Sequence, residues 1–310
     1  MKRAFVFPGQ GSQFVGMGSG LADNFPVAKR VFEEVNDALG QDLFRLMREG
    51  PLEELTLTVN TQPALMAHSV AALRVLQEER GARFDETVAL AGHSLGEYSA
   101  LCASQAITLS DAARVLRIRG EAMQAAVSPG DGAMAALLGA DLETVETALA
   151  DRQFGGVCEI ANDNAPGQIV VSGRKEAISN ICDSAKELGA KMAKMLPVSA
   201  PFHCSLMQPA ADRMEEALAE IKFEKPVATI YANVTAAPVH KPDDIRRRLV
   251  EQVTGRVRWT ETIQNIRETG FDAYVEVGAG KVLSGLIRRI AKGAVTLNVG
   301  EPTDIDEFTS

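Results

Sequence analysis

The chain has 310 residues, of which 46% are hydrophobic and 24% charged, a balance typical of a globular protein with a substantial core. Its net charge of −9 argues against a nucleic-acid-binding surface, and no apolar run approaches the roughly 18–20 residues of a membrane span. The cysteines show no C-x-x-C spacing, so we expect a cytoplasmic protein with reduced thiols at Cys102, Cys158, Cys182 and Cys204.

The outer parts of the chain alternate between strand and helix patterns. RAFVF at 3–7, TVALA at 87–91, DAYVEV at 272–277 and residues 294–298 are typical of short buried strands. Helical patterns cover 26–39, 62–80, 95–104, 110–127, 205–220, 242–253, 260–270 and 281–291, the second beginning after Thr61 and Pro63. This alternation predicts an α/β fold with a mostly parallel sheet and helices on both faces.

The central part of the chain has a different pattern. Between Pro129-Gly130 and Pro197 the order is strand, helix, strand, strand, helix, strand, which is the signature of a ferredoxin-like unit. We therefore predict a large catalytic domain from residues 1–129 and 198–310, and a small ferredoxin-like domain inserted at 130–197.

Residues 92–96 read GHSLG and fit the G-x-S-x-G pattern of a nucleophile elbow. A strand pattern precedes Ser94 and a helix pattern follows it, as the elbow requires. Ser94 is therefore the candidate nucleophile. The alternative is a serine between two glycines that only makes a turn.

A serine hydroxyl needs a base, and the chain has four histidines. His68 lies in an apolar helix pattern, His240 lies in a Pro/Lys loop, and elbow geometry points His93 away from the hydroxyl. His203 lies in a loop between a strand and a helix, where catalytic residues often occur, and is the candidate base. No carboxylate occurs between Glu187 and His203, so we predict a Ser–His dyad whose imidazole is oriented by a backbone carbonyl.

Arg119 has an unusual place in its predicted helix. A guanidinium on a buried face is costly unless it is paired, so either a carboxylate elsewhere in the fold or an anionic ligand is expected to satisfy it. A structural ion pair and a ligand site remain equal alternatives at this point. The neighbours of Arg119 on its helix face are all apolar: Ala112, Val115, Leu116, Ala122, Met123 and Ala126.

The glycine-rich start, FPGQGSQFVGMGSG, has neither the dinucleotide-binding nor the P-loop spacing. It does place Gln10 in a loop after a strand, where an amide could complete an oxyanion hole. A surface glutamine in a glycine-rich turn is the plainer interpretation of this segment.

Together these residues resemble the malonyl-CoA:acyl carrier protein transacylase family, nearly from end to end. The resemblance rests on FPGQGSQ (7–13), TQPAL (61–65), GHSLGEYSAL (92–101), Arg119-Gly120, NDNAPGQIVVSG (162–173), PFH (201–203) and EVGAGKVLSGLI (276–287). It implies a hydrolase-like α/β domain with a small ferredoxin-like domain, and an active site between them.

The resemblance also implies the roles of individual residues. Ser94 would carry the acyl group and His203 would act as base and then acid. The side chain of Gln10 and the N–H of Leu95 would form the oxyanion hole, and Arg119 would bind the malonyl carboxylate. Asn162 and Gln168 would lie near the cleft. The carbonyl that orients the base would come from near the segment Val257-Arg258-Trp259.

The expected substrates are malonyl-CoA and the phosphopantetheine thiol of acyl carrier protein, with no metal, cofactor, nucleic acid or membrane, and we expect a monomer. Phe202 before the base predicts a preference for malonyl over methylmalonyl groups, since one methyl is worth only about 1–3 kcal/mol in a pocket. Candidate docking clusters are Arg246-Arg247-Arg248, and Lys281 with Arg288, Arg289 and Lys292.

Other functions stay open on the sequence. A discrete acyltransferase of polyketide synthesis would share every motif. A serine thioesterase or esterase would share the elbow, although the missing acid and Arg119 count against it. A scaffold that binds carrier protein without catalysis would have no need of Ser94, His203 and Arg119.

Overall fold

The computed structural model describes residues 2–151 and 154–308, which form two β-sheets flanked by helices. The strands are β1 (Arg3–Phe7), β2 (Ala89–Gly92), β3 (Gly132–Leu138), β4 (Cys158–Ala165), β5 (Gln168–Arg174), β6 (Met192–Met195), β7 (Thr229–Ala232), β8 (Ala237–Val239), β9 (Val257–Arg258), β10 (Ala273–Val277) and β11 (Val295–Val299). The helices are α1 (Ser19–Asn24), α2 (Pro26–Leu39), α3 (Leu43–Glu49), α4 (Leu52–Thr56), α5 (Thr58–Arg80), α6 (Gly96–Ala103), α7 (Leu109–Ala125), α8 (Leu142–Asp151), α9 (Lys175–Asp183), α10 (Gln208–Ala219), α11 (Pro242–Thr254), α12 (Trp259–Glu268), α13 (Val282–Ile290) and α14 (Pro302–Glu307).

The first sheet has the strand order β11-β10-β1-β2-β7-β8 and is parallel except for β8. Alternate residues of β1 point to opposite faces of a sheet, so Phe5 and Phe7 join a core with α2, α5 and α7, while Ala4 and Val6 join one with α12 and α13. The predicted mostly parallel sheet with helices on both faces is therefore confirmed.

The second sheet has the strand order β6-β3-β5-β4-β9. Strands β3 to β6 pair antiparallel and lie within the predicted insertion, and α8 and α9 pack on one face of them. This is the ferredoxin-like arrangement that the sequence predicts. The fifth strand, β9, comes from outside residues 130–197 and runs parallel to β4.

The start of one helix was predicted wrongly, and several short elements were not predicted. Helix α5 begins at Thr58, before Pro63, because the side chains of Asn60 and Thr61 donate to carbonyls of α4 and hold a turn ahead of the proline. Strand β7 was not predicted, since TIYA is too short to show a period. It nevertheless pairs with β2 and forms part of the sheet below Ser94.

The turn between β2 and α6 depends on two glycines at close backbone contacts. A Cβ on Gly92 would overlap the backbone of Gly96, and a Cβ on Gly96 would overlap the carbonyl of Phe7 at the end of β1. The start of α6 therefore lies directly against the first sheet, and this contact fixes the height of Ser94 above the sheet edge.

We expect Gly96→Ala to lower the free energy of unfolding by about 1–3 kcal/mol or more, because the added methyl meets backbone that cannot move aside cheaply. The matched control is Gly285→Ala in α13, where a Cβ would meet nothing within 4 Å. That change should be neutral or stabilise by about 0.5–1 kcal/mol, since glycine is a poor helix former. Urea unfolding of both variants measures the difference, and equal effects at the two sites would contradict the packing argument.

Candidate active site

Ser94 lies between the end of β2 and the start of α6, with a φ of 53° in the left-handed region. Such a conformation costs a non-glycine residue about 1–3 kcal/mol unless the surroundings hold it. Asn233 provides that support. Its Oδ1 accepts from the Ser94 N–H at 2.7 Å, and its Nδ2 donates to the Gly92 carbonyl at 2.7 Å. The elbow predicted from GHSLG is therefore present and clamped from β7.

His203 reaches Ser94 from the loop before α10. Its Nε2 lies 2.8 Å from the Ser94 Oγ, and its Nδ1 lies 2.8 Å from the backbone carbonyl of Gln252. The carbonyl can only accept, so Nδ1 carries the proton and Nε2 is free to accept the serine proton. This hydrogen-bond geometry is the one that the predicted Ser–His dyad requires. The orienting carbonyl belongs to Gln252 on α11, a few residues before the segment Val257-Arg258-Trp259 near which it was expected.

The environment of His203, the candidate base, disfavours its charged form. His203 is 4% exposed, and burial together with the positive charge of Arg119 lowers its pKa to about 3. An imidazole that binds a proton so weakly keeps Nε2 available to Ser94 across the whole neutral range.

Arg119 is 1% exposed and has no carboxylate within 4 Å among the residues that the structure describes. One guanidinium nitrogen donates to Gln62 Oε1 at 2.7 Å. The other donates to Gln252 Oε1 at 2.8 Å and to the Ser94 Oγ at 3.1 Å. The structural ion pair that the sequence left open is therefore absent from the described residues, and the charge stands beside the nucleophile.

A cavity of about 430 Å³ opens over the dyad. Its walls also include apolar side chains, among them Met123, Met134 and Val198. Seven of the site residues predicted from the sequence line this cavity: Gln10, Ser94, Leu95, Arg119, Asn162, Phe202 and His203. They come from β4 of the second sheet, from α7 and from three connecting segments, two of which follow strands β1 and β2 of the first sheet, so the cavity lies between the two sheets.

The remaining candidates make other contacts, although His93 also lines the cavity. Gln168 is outside the cavity and accepts from Arg289 at the surface, which corrects its expected place near the cleft. His93 turns its Nε2 to Asn164 and packs its ring edge on Trp259, as expected of a residue beside the elbow. His68 is buried against the Gly300 carbonyl, and His240 is exposed.

Several polar residues of the site were missed by the sequence analysis. Gln62, Gln252, Glu97 and Asn233 are all at most 4% exposed and form the hydrogen-bond network below Ser94 and Arg119. Glu97 is near the elbow in sequence, and burial raises its pKa to about 7. The sequence signal that could have identified Glu97 as a site residue is a carboxylate within the apolar helix pattern after Ser94.

The two oxyanion-hole candidates, Gln10 and Leu95, both line the cavity. Leu95 is the N-cap residue of α6, so its N–H points from the start of a helix, where the helix dipole favours negative charge. The Ser94 N–H is already bound to Asn233. Gln10 faces the same cavity from the loop after β1. In the parts of the chain that the structure describes, no three His, Cys, Asp or Glu side chains gather as a metal site would require, and no helix is long and apolar enough to cross a bilayer.

Comparison with known proteins gives the family. The family model for the acyl transferase domain matches residues 4–299. The malonyl CoA-acyl carrier protein transacylase of Escherichia coli K12 is 44% identical over 300 residues, which are 97% of this chain and 96% of that protein. The chain belongs to the malonyl-CoA:acyl carrier protein transacylase family.

Solved structures of the family superpose closely on this chain. An acyl-carrier-protein S-malonyltransferase from Bartonella henselae has a TM-score of 0.96 at 51% identity, and the match covers 99% of this chain and 98% of that one. A malonyl-transacylase solved in complex with its type II PKS acyl-carrier protein has a TM-score of 0.94 at 42% identity, covering 99% and 98%. The recognition from sequence motifs and the α/β fold class are both confirmed.

The lowered pKa of His203 predicts the acid side of the pH profile for this family member. With an ordinary histidine, acylation of Ser94 would slow about tenfold per pH unit below 6.5. With a pKa of about 3, kcat/KM should stay level from pH 8 down to about 5. Stopped-flow acylation by malonyl-CoA measures this.

The same pKa shift lowers stability in acid, because the unfolded histidine takes up a proton near pH 6.5 and the folded one only near 3. Circular dichroism at each pH therefore has to accompany the rates. Glu97, with a pKa raised to about 7, could also cause a loss of rate in this pH range, and Glu97→Gln removes that group. A fall in kcat/KM below about pH 6.5 that persists in folded Glu97→Gln would contradict the assignment of His203 as a neutral base.

Proposed function

We propose that the protein transfers a malonyl group from malonyl-CoA to the phosphopantetheine thiol of acyl carrier protein, through a malonyl ester on Ser94. The observation that carries this proposal is Arg119, a buried guanidinium without a carboxylate partner in the described residues, 3.1 Å from the nucleophile. An acyl group that carries its own carboxylate fits such a site, since a guanidinium can bind both carboxylate oxygens at once.

In the first half-reaction, His203 Nε2 takes the proton from the Ser94 Oγ, which attacks the thioester carbonyl of malonyl-CoA. The oxygen of the tetrahedral intermediate is stabilised by the Leu95 N–H and the Gln10 amide, which both face the cavity. The carbon–sulfur bond breaks, and the CoA thiolate takes the proton from His203. CoA is then released, and the enzyme is left with a malonyl ester on Ser94.

The second half-reaction uses the same groups in reverse. The carrier thiol gives its proton to His203 and attacks the serine ester, and the serine oxygen leaves with that proton. Two substrates that react in turn through one covalent intermediate give ping-pong kinetics. Every step of this proposal is carried by a side chain or backbone group of the chain itself, with no metal or cofactor.

The shape of the cavity supports a narrow acyl preference. Phe202 and Asn162 are both less than 10% exposed and line the cavity beside the dyad. A substituent at the second carbon of the acyl group would meet this wall, so we propose that malonyl is preferred over methylmalonyl.

One of the two predicted basic clusters is better suited to an acidic carrier protein. Arg246, Arg247 and Arg248 are all neutralised by carboxylates of their own helix, α11. On α13, Arg288 donates to Thr296 and Arg289 to Gln168, both neutral acceptors. The positive charges of Arg288 and Arg289 are therefore available to bind an acidic partner, and we propose that acyl carrier protein docks on this face of α13. We also propose that the enzyme is monomeric and cytoplasmic.

A carrier of polyketide synthesis is the second candidate acceptor, because one of the similar structures is a complex with a type II PKS carrier. A hydrolase is a poorer fit, since the base is oriented by the Gln252 carbonyl and the charge beside the nucleophile suits an anionic acyl group. Transfer assays with purified holo carriers of both kinds distinguish the two acceptors.

Brief exposure to malonyl-CoA should leave a malonyl adduct on Ser94, because the ester forms before the second thiol arrives. Mass spectrometry of the intact protein and of its peptides detects the adduct, and the control is Ser99→Ala, a buried serine on α6, the helix that follows Ser94. Ser94→Ala should abolish labelling and Ser99→Ala should keep it. Malonate released at the rate of labelling, without carrier, would instead indicate a hydrolase.

We expect Arg119→Ala to lower the preference for malonyl-CoA over acetyl-CoA by about 10–100-fold, the worth of a hydrogen-bonded charge pair. An acetyl group has no carboxylate for Arg119 to bind, so the rate of acetyl transfer measures the reaction at Ser94 and His203 without that contact. The control is Arg117→Ala, whose side chain on the same helix donates to Gln41 outside the cavity. An unchanged preference in Arg119→Ala would refute the carboxylate clamp.

A further inference from the structure

The charge of Arg119 is linked to a buried carboxylate through one amide. Gln252 Oε1 accepts from Arg119 at 2.8 Å, and Gln252 Nε2 donates to Glu97 Oε2 at 2.8 Å. Glu97 is 2% exposed, and Gln252 is fully buried. No step of the proposed transfer uses Glu97, although a carboxylate in an apolar environment is costly and needs compensation.

The neighbours of Gln252 permit only one orientation of its amide. The two N–H groups point to the Ser94 carbonyl at 3.1 Å and to Glu97 Oε2, while the single oxygen faces the guanidinium. In the flipped orientation the amide NH₂ would face the donors of Arg119, and its oxygen would face two acceptors. Glu97 is thus one of the groups that decide which end of Gln252 is presented to Arg119.

A second donor to Glu97 Oε2 supports the role of this oxygen as an acceptor. The Asn233 N–H also donates to Glu97 Oε2, at 3.0 Å. Two donors therefore meet at one oxygen, which accepts whether or not the other carboxyl oxygen carries a proton. The side chain of Asn233 in turn holds the Ser94 N–H, so Glu97 is connected to the nucleophile on one side and to Arg119 on the other.

We infer that Glu97 is a positioning residue for acyl selectivity: by accepting from Gln252 it keeps an amide oxygen toward Arg119 and so holds the guanidinium beside the Ser94 Oγ. The inference rests on the proposed carboxylate clamp. It concerns how that clamp is held in place, and it assigns Glu97 no contact with the substrate.

The charged and titratable groups around Glu97 are few. Arg119 from α7 and Tyr98 from α6 interact with it electrostatically, while Gln252 from α11 and Asn233 after β7 are neutral donors. The role therefore depends on an acceptor oxygen at this position more than on a full negative charge. A glutamine at 97 can supply such an oxygen, whereas a leucine cannot.

The test compares malonyl-CoA and acetyl-CoA as donors to Ser94 in two variants of the full chain. Glu97→Leu should lower the malonyl-to-acetyl ratio of kcat/KM by at least about tenfold, mainly through a higher KM for malonyl-CoA, because one hydrogen bond that holds a charged group is lost. Glu97→Gln should keep the ratio within about threefold of the unmodified protein. A parallel fall of both substrates in Glu97→Leu would show a purely structural role and overturn the inference.

The matched control is Glu276→Leu. Glu276 is also a fully buried carboxylate that accepts backbone N–H bonds, but it holds the start of α13 and is not part of the cavity. This variant should lower the melting temperature and leave the ratio unchanged. A ratio that falls as far as in Glu97→Leu would mean that any loss of stability alters selectivity, and would overturn the inference.

Gln252→Leu tests the connecting amide while its backbone carbonyl still orients His203. It should lower the ratio at least as far as Glu97→Leu, and Glu97→Leu should add little in the Gln252→Leu background, since both act on one chain of contacts. If the losses in the malonyl-to-acetyl ratio instead multiply in the double variant, the two residues act independently and the inference is contradicted. If Glu97→Leu does not fold, an unchanged ratio in Gln252→Leu is sufficient to overturn it.

The failure of the clamp and the failure of this inference are distinguishable. If Arg119→Ala leaves the ratio unchanged, the carboxylate clamp itself is wrong. If Arg119→Ala lowers the ratio and neither Glu97→Leu nor Gln252→Leu does, the clamp stands and the positioning role of Glu97 is wrong.

Discussion

The burial of one positive charge beside the nucleophile is the constraint on which the rest of the site depends. A guanidinium removed from water needs polar partners, and Arg119 has them in Gln62 and Gln252. The same charge helps to keep His203 neutral. A carboxylate behind His203 would stand near Arg119 and compete with an anionic acyl group. The carbonyl of Gln252 orients the imidazole without that competition, which gives a physical reason for a dyad in place of a triad.

Both members of the dyad have left-handed backbone conformations, with φ values of 53° for Ser94 and 58° for His203. Such strain persists only where the surroundings fix it. For Ser94 they are the glycine contacts between α6 and the end of β1, together with Asn233 from the end of β7. The first sheet thus holds the nucleophile rigidly, and the cavity above it is completed by Asn162 from the second sheet.

The sequence was sufficient for those features whose cause is local. The elbow follows from glycines adjacent to a serine, and Arg119 is conspicuous because its own helix face is apolar. His203 could be chosen because few histidines compete with it. Gln252 and Asn233 could not be predicted as site residues, because a buried amide has no local signature and their partners in the site are more than 100 residues away. Glu97 does stand out as a carboxylate in an apolar helix pattern, but its partner Asn233 is equally distant in sequence. The orienting carbonyl was expected only near Val257-Arg258-Trp259, because any backbone carbonyl can accept and the sequence does not single out Gln252.

Strand β9 shows how closely the two sheets are joined. It follows α11, which carries the carbonyl that orients His203, and it pairs with β4 at Asn162 and Asp163. A graft that exchanges residues 130–197 between relatives would therefore bring a foreign β4 to a native β9. The exchangeable module is discontinuous in sequence and includes Val257 and Arg258. The second sheet is thus built from two separate chain segments, and any replacement for residues 130–197 must present a β4 that pairs with Val257 and Arg258.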